Sequence, residues 1–480
     1  MINFDKKSLF FNILPRPFLF TDILFPSLFL SFFLSLLLSL LLSLLLLLLL
    51  SSKVQADSTV LSAIASAPSA DRIEKDIQKL VSFGTRHTLS DTTSETQGIG
   101  AARRWIQSEF ELISAGCGGC LKVYSQSRVI SGEKRIPEAT EVVNIIAILE
   151  GKSEPNRFVI MSGDIDSRIS DPLNAEDASP GANDNASGMA GTIEAARVLS
   201  HYEFPASIVF VGLSGEEQGL FGGKIMAENA VKDGWKVETI LNNDMIGNIS
   251  GINGVTNNGV ARVFSEATRP TETAQQARLR RFTGGEVDSP SRNVARYVDR
   301  IADDYIDNLD VMMIYRLDRF GRGGHHRPFN EVGFPGVRIM ETNEHYDRQH
   351  QDLRSEDGRD YGDVISGVDF DYAAKLTALN AVSLASMAMA PAPPNEVSIE
   401  GLVSPDTTLK WKKVAGATHY RVYWRLTTEA QWQWNRDAGD VESHTLKNVV
   451  IDNYIFGVAS VNSEGIESPV VFPGPIGAFW

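Results

Sequence analysis

Acidic side chains stand at the ends of apolar runs in this chain. Asp164 and Asp166 follow the run 158–161, Asp184 lies in the Gly/Asn/Ser-rich stretch 180–188, Glu216 and Glu217 follow the run 208–213, and Asp244 follows Ile240 and Leu241. Short apolar runs bounded by turn residues read as buried strands, and in open α/β sheets ligands bind beyond the carboxyl ends of strands. Each acid alone has a plain explanation. Asp184 could cap a helix, Glu216 and Glu217 could sit in a first helical turn for the sake of its dipole, and Asp244 could cap its strand. Gathered at one sheet edge, however, carboxylates repel one another, and a cation is the usual remedy.

The elements that must position these acids alternate. Helical spacing marks 71–83, through Ile73, Ile77, Leu80 and Val81, and again 98–113. Strand-like runs at 142–149, 158–161, 208–213 and 240–245 are interleaved with helices at 189–199 and 219–230. Asp288-Ser289-Pro290 is a start signal for a helix reaching 305, followed by strands at 311–317 and 336–340 and a long apolar helix at 370–390. This alternation predicts an α/β domain over 71–390, with a mostly parallel sheet covered by helices on both faces. A Pro-rich break at 391–395 separates it from short alternating strands at 397–399, 408–411, 420–425, 444–446 and 454–461, which predict an all-β sandwich over 391–480.

A length of 480 residues is enough for about two to four domains. The net charge of −15 argues against nucleic acid, whose phosphates require a basic face. Residues 24–52 carry no charge, follow Lys6, Lys7 and Arg16, and lead into the small-residue stretch Val54-Gln55-Ala56. Residues 1–56 therefore read as an export signal, or as a membrane anchor if they are not cleaved, with a small polar linker at 57–70. The expected location is secreted, periplasmic or otherwise extracytoplasmic. In such a setting the only two cysteines, Cys117 and Cys120 in Cys-Gly-Gly-Cys, predict a small-loop disulfide.

The motifs taken together resemble peptidase family M28, the di-zinc aminopeptidases and their carboxypeptidase relatives. The resemblance rests on Gly181-Ala182-Asn183-Asp184-Asn185-Ala186-Ser187-Gly188, Glu216-Glu217, Asn243-Asp244-Met245, Gly324-His325-His326-Arg327-Pro328-Phe329, Gly333-Phe334-Pro335-Gly336-Val337 and Gln349-His350-Gln351-Asp352, in that order. It implies that Asp184 bridges two zinc ions, that Glu217 and His350 hold one ion and Asp244 the other, and that Glu216 is the general base for the bridging water. The family's first ligand is a histidine, and Asp164 stands in that place. An aspartate favours harder ions, so manganese, cobalt or magnesium are alternatives. Asp166 is expected to orient the first ligand, His326 to touch substrate, and His345 to be the rival of His350. The implied activity is that of an exported metallo-aminopeptidase acting on peptides. The alternative from another class is a pseudo-peptidase that keeps the fold and serves as a binding module. Beyond 391, Leu409-Lys410-Trp411, Tyr420-Arg421-Val422-Tyr423-Trp424, Tyr454-Ile455-Phe456-Gly457-Val458 and Asn462-Ser463-Glu464-Gly465 resemble strands B, C and F of a fibronectin type III module and the turn after F. The partner of that module is unknown.

Overall fold

The computed structural model describes residues 37–39 and 59–480. The expected export signal or anchor at 1–56 lies outside the described residues except for 37–39, and no described helix is long and apolar enough to cross a membrane. Residues 58–480 form one compact unit.

Eight strands make the main sheet: β1 (Leu121–Ile130), β2 (Thr140–Leu149), β3 (Glu154–Asp164), β4 (Ala206–Leu213), β5 (Lys236–Asn243), β6 (Val260–Ser265), β7 (Asp310–Ile314) and β8 (Gly336–Glu341), in the order β1-β2-β4-β3-β5-β8-β6-β7. The central strands β4, β3, β5 and β8 run parallel, whereas β1–β2, β2–β4 and β6–β8 are antiparallel, so the sheet is mixed. The central strands are buried on both faces, which is why they read as continuous apolar runs. Helices Ala70–Val81, Ala186–Leu199 and Phe370–Met389 pack in the larger core, while Phe221–Lys232 closes a smaller one with Ile160, Val209 and Ile240.

Three features depart from the sequence-based expectation. Strand β1 has no strong alternating signal, because it is an edge strand in which only Leu121 is buried. The stretch read as a linker is helical over 59–65, and Leu61 and Ile64 are buried in the main core. Residues 274–283 form an exposed helix with no buried residue, so there is no apolar stripe to betray it.

After a small hairpin of β9 (Arg354–Glu356) and β10 (Arg359–Tyr361), the chain ends in two three-stranded antiparallel sheets. The first joins β11 (Asn395–Glu400), β12 (Thr407–Lys412) and β15 (Ser443–Leu446). The second joins β14 (Trp434–Gly439), β13 (His419–Leu426) and β16 (Tyr454–Val461). Leu409, Trp411, Tyr420, Val422, Leu446, Phe456 and Val458 are among their buried residues. Cys117 and Cys120 are joined in a disulfide after helix Gly98–Gly116.

Candidate metal centre

The site forms where β3, β4, β5 and β8 end, and two close approaches bring their tips together. A Cβ on Gly163 would come within 2.5 Å of the Gly188 backbone, and one on Gly188 within 2.4 Å of the Asn243 carbonyl oxygen. Only glycines let the start of helix Ala186–Leu199 sit this deep between β3 and β5. Asn185 laces the junction: its amide donates to Asp164 Oδ2 at 2.8 Å and to the Asn243 carbonyl at 2.7 Å, and its oxygen accepts from the backbone of Gly188 and Met245. The turn carrying Asp184 is fixed by Asp363, whose carboxylate accepts the Asp184 and Asn183 backbone N–H groups. Asp166 accepts the backbone N–H groups of Glu216 at 3.2 Å and Glu217 at 3.1 Å and the Thr88 hydroxyl at 3.0 Å. It thus fixes the Glu216-Glu217 turn rather than orienting a first ligand.

Among the described residues, Asp184, Glu217 and His350 are the group whose donor atoms converge. His350 Nε2 lies 3.0 Å from Asp184 Oδ2 and 2.9 Å from Glu217 Oε1. His345 is outside the group. Two carboxylates and one imidazole, with one side open to a cavity of about 270 Å³, suit a catalytic zinc-type ion with three protein ligands and a free position. Glu216 lines the same cavity without joining the three.

Asp164 and Asp244, expected as further ligands, stand outside that group, and each has an oxygen taken by a buried partner. Asp164 Oδ1 accepts from His325 Nδ1 at 2.6 Å, and Asp244 Oδ2 pairs with Arg338 Nη2 at 2.8 Å. Arg338 is fully buried and also pairs with Asp318 at 3.1 Å. A guanidinium therefore stands against the carboxylate that should hold the second ion. His326, expected at the substrate, is buried; its Nε2 bonds the Leu317 carbonyl at 2.8 Å, and Arg327 beside it faces the cavity instead.

Against this geometry, comparison with known proteins is direct. The model of peptidase family M28 matches residues 144–364. A protein of Pyrenophora teres f. teres described as a "probable zinc metalloprotease" is 40% identical over 420 residues, covering 86% of this chain and 87% of the relative. A like-named protein of Leptosphaeria maculans is 41% identical over 418 residues, covering 86% and 97%. The chain belongs to peptidase family M28. A solved structure of LapA from Legionella, a protein described elsewhere as an aminopeptidase, superposes with a TM-score of 0.51 at 18% identity, covering 69% of this chain and 76% of that one; it shows the fold.

Within this M28 site the electrostatics divide the acids. Burial, and then the charges of Glu217, Asp244, Asp164 and Asp184, push Glu216 well above the usual carboxylate range. Burial likewise raises Asp244 to about 8 despite Arg338, and raises Asp164 with help from Asp166. At Asp184 burial is outweighed by His350, Arg319 and Arg322, so its carboxyl falls below the usual range; Glu217 is lowered through His350 and Arg168. His350, pulled up to about 9 by Glu217 and Asp184 against its burial, is the reciprocal partner.

Arg168 was not singled out in the sequence, although it lies two residues beyond Asp166. Its Nε donates to Glu217 Oε2 at 2.7 Å, and its Nη2 contacts His350 Nδ1 at 2.6 Å. Arginine has only donors, so in the neutral ring Nδ1 accepts and Nε2 carries the proton toward Asp184 and Glu217. A cation held by Asp184, Glu217 and His350 would take that proton's place.

Proposed function

We propose that this chain is a zinc-dependent exopeptidase that uses one ion, held by Asp184, Glu217 and His350, with Glu216 as general base. The zinc reading draws on the relatives' description and on the N/O donor set. A divalent ion in this position polarises a peptide carbonyl and acidifies a water. The chain supplies the proton handling. Glu216 is adjacent to the ligand Glu217 on one short helical turn, lines the cavity, and stays out of the ligand group. This placement of Glu216 is the observation that carries the proposal. A raised carboxyl at the edge of an open position can take a proton from water and return it to the leaving amine.

The open cavity beside the donor group, about 270 Å³, is the place for the residue flanking the scissile bond. N-terminal cleavage, the direction implied by the sequence resemblance, is tested with zinc-loaded protein and peptides blocked at one end or the other. Loss of turnover on N-terminal acetylation supports an aminopeptidase; cleavage of doubly blocked peptides overturns the exopeptidase reading. The pairing of Asp164 with His325 and of Asp244 with Arg338 favours a second reading, a binding module without turnover. Absence of hydrolysis by fully zinc-loaded protein would select it.

We further propose export, supported by the charge-free segment 24–52 and the paired Cys117 and Cys120, and a fibronectin type III-like identity for the terminal sheets, supported by their three-plus-three arrangement. Mass analysis of the secreted chain tests cleavage near residue 56.

A further inference from the structure

The chain as a whole is acidic, yet the mouth of the metal site is lined by Arg135, Arg168, Arg319, Arg322 and Arg327. We propose that this mouth recognises a carboxylate of the substrate, resting on the exopeptidase reading of the same site. Most of the carboxylates lining the cavity are committed. Asp184 and Glu217 face His350, Glu216 is assigned to proton transfer, and Asp244 is paired through Oδ2 with Arg338, leaving only its buried Oδ1 unpartnered. The exposed rim offers cations, and a bound divalent ion would make the cavity more positive still.

The arginines differ in what they have left to give. Arg168 is spent on Glu217 and His350, and Arg319 pairs with Asp318 and Glu344. Three others keep unused donors at the rim. Arg322 uses only Nη1, toward Glu344 and Gln349, both at 3.2 Å. Arg327 uses only Nε, toward Glu331 at 2.8 Å. Arg135 uses only Nη1, toward the Glu217 carbonyl, and has no carboxylate partner among the described residues. The side chains of Arg322 and Arg327 are 34% and 48% exposed, so their free nitrogens are open to a ligand. They come from separate segments: the β1–β2 connection, the loop after β7, and helix His326–Glu331. Guanidinium groups at one cavity mouth with spare N–H donors suit the two oxygens of a carboxylate.

That carboxylate is either the peptide's C-terminus or an acidic side chain next to the scissile bond. Zinc-loaded protein is assayed with four matched dipeptides, as free acid or C-terminal amide, each with Glu or Gln as the second residue. A charge-assisted hydrogen bond leads one to expect kcat/KM about 10–100-fold higher for the charged member of the deciding pair. Acid over amide identifies the C-terminus; Glu over Gln in the amides identifies the side chain. The preference should collapse in Arg322→Gln/Arg327→Gln while zinc content stays unchanged. Equal or better turnover of the uncharged peptides, or a preference that survives the double substitution, overturns the inference but leaves the exopeptidase reading standing. If no peptide is cleaved, that reading fails, and calorimetric binding of N-acetylglutamate against N-acetylglutamine amide still decides. Binding of the former to wild type but not to the double variant supports a carboxylate site, and no binding overturns it.

Discussion

Arg338 should limit this site to one tightly held zinc ion, and the size of its effect can be worked out. Zinc sits about 2.1 Å from a carboxylate oxygen. Asp244 Oδ2 is 2.8 Å from Arg338 Nη2, so an ion on that oxygen would lie within about 5 Å of the guanidinium, and one on Oδ1 within about 7 Å. At the longer distance and an effective dielectric of about 20, a divalent ion and a guanidinium repel by about 5 kcal/mol, or more than a thousandfold in affinity. Arg168, 2.7 Å from Glu217 Oε2, sets a comparable penalty on the first ion, but there three converging donors offset it, whereas Asp244 stands outside that group. Calorimetric titration of metal-stripped wild type with zinc should therefore show one ion held far more tightly than any second. In Arg338→Met this repulsion is gone, while Asp244 and Asp318 are left buried without their countercharge. Stranding a buried charge typically costs about 3–5 kcal/mol. The variant should melt well below wild type when stripped, take up a second zinc, and recover part of the loss in doing so. Asp244 Oδ1, buried and without a hydrogen-bond partner, is the atom available for that ion. Two ions of comparable affinity in wild type would refute the reasoning.

Other consequences are as direct. Glu216→Gln should lower turnover about 10²–10⁴-fold with zinc content intact, because the amide keeps the shape but cannot take a proton; activity within a few-fold of wild type would remove Glu216 from the base role. Asp184→Ala should lose zinc and activity together, and stoichiometric zinc in the purified variant would contradict its place as a ligand. Burial pushes Glu266 from 4.5 up to about 8. The native state thus holds this proton more tightly than the unfolded chain, and stability falls as pH rises from about 4.5 to 8, with the full penalty present above 8. Glu266→Gln should raise Tm at pH 9 more than at pH 5, and an equal change at both would show that the ionisation is not the cause.

The acidic frame was legible because burial on both faces of the central strands forces continuous apolar runs, and the turn after each run is where the acids stand. The cations were not, because each reaches the site from an element that sequence order keeps apart from its partner. Arg168 meets His350 across 182 positions, and Arg338 meets Asp244 across 94. Arg338 did leave a signal. It interrupts the apolar strand Gly336–Glu341, and a cation in a core strand requires a buried counter-ion. His326 misled because a motif fixes a position in the chain, not the direction of the ring; its neighbour His325 turns to Asp164 while His326 turns to a loop carbonyl.

The Pro-rich break is tied down on both sides. Arg157 Nη2 donates to the Ala390 carbonyl at 2.6 Å, and the Ser460 hydroxyl donates to the Ala392 carbonyl at 2.6 Å, so the stretch is tied to both neighbours. The contact that follows is polar and buried. Asp288 accepts from Arg425 at 2.8 Å with both oxygens and pairs with Arg296 at 2.9 Å, while Glu467 gathers Arg300, Arg421 and the Tyr423 hydroxyl. Arg296 and Arg300 belong to helix Pro290–Tyr305, which packs against β6, β7 and β8. Strand β8 in turn carries Arg338, which pairs with Asp244, and Glu341, which accepts from the Asn183 amide one residue before Asp184. The terminal sheets thus brace the helix behind the strand that holds both the cation and the metal-site turn in register. A module merely tethered by a linker would bury no such charges, since charges taken out of water must be paired.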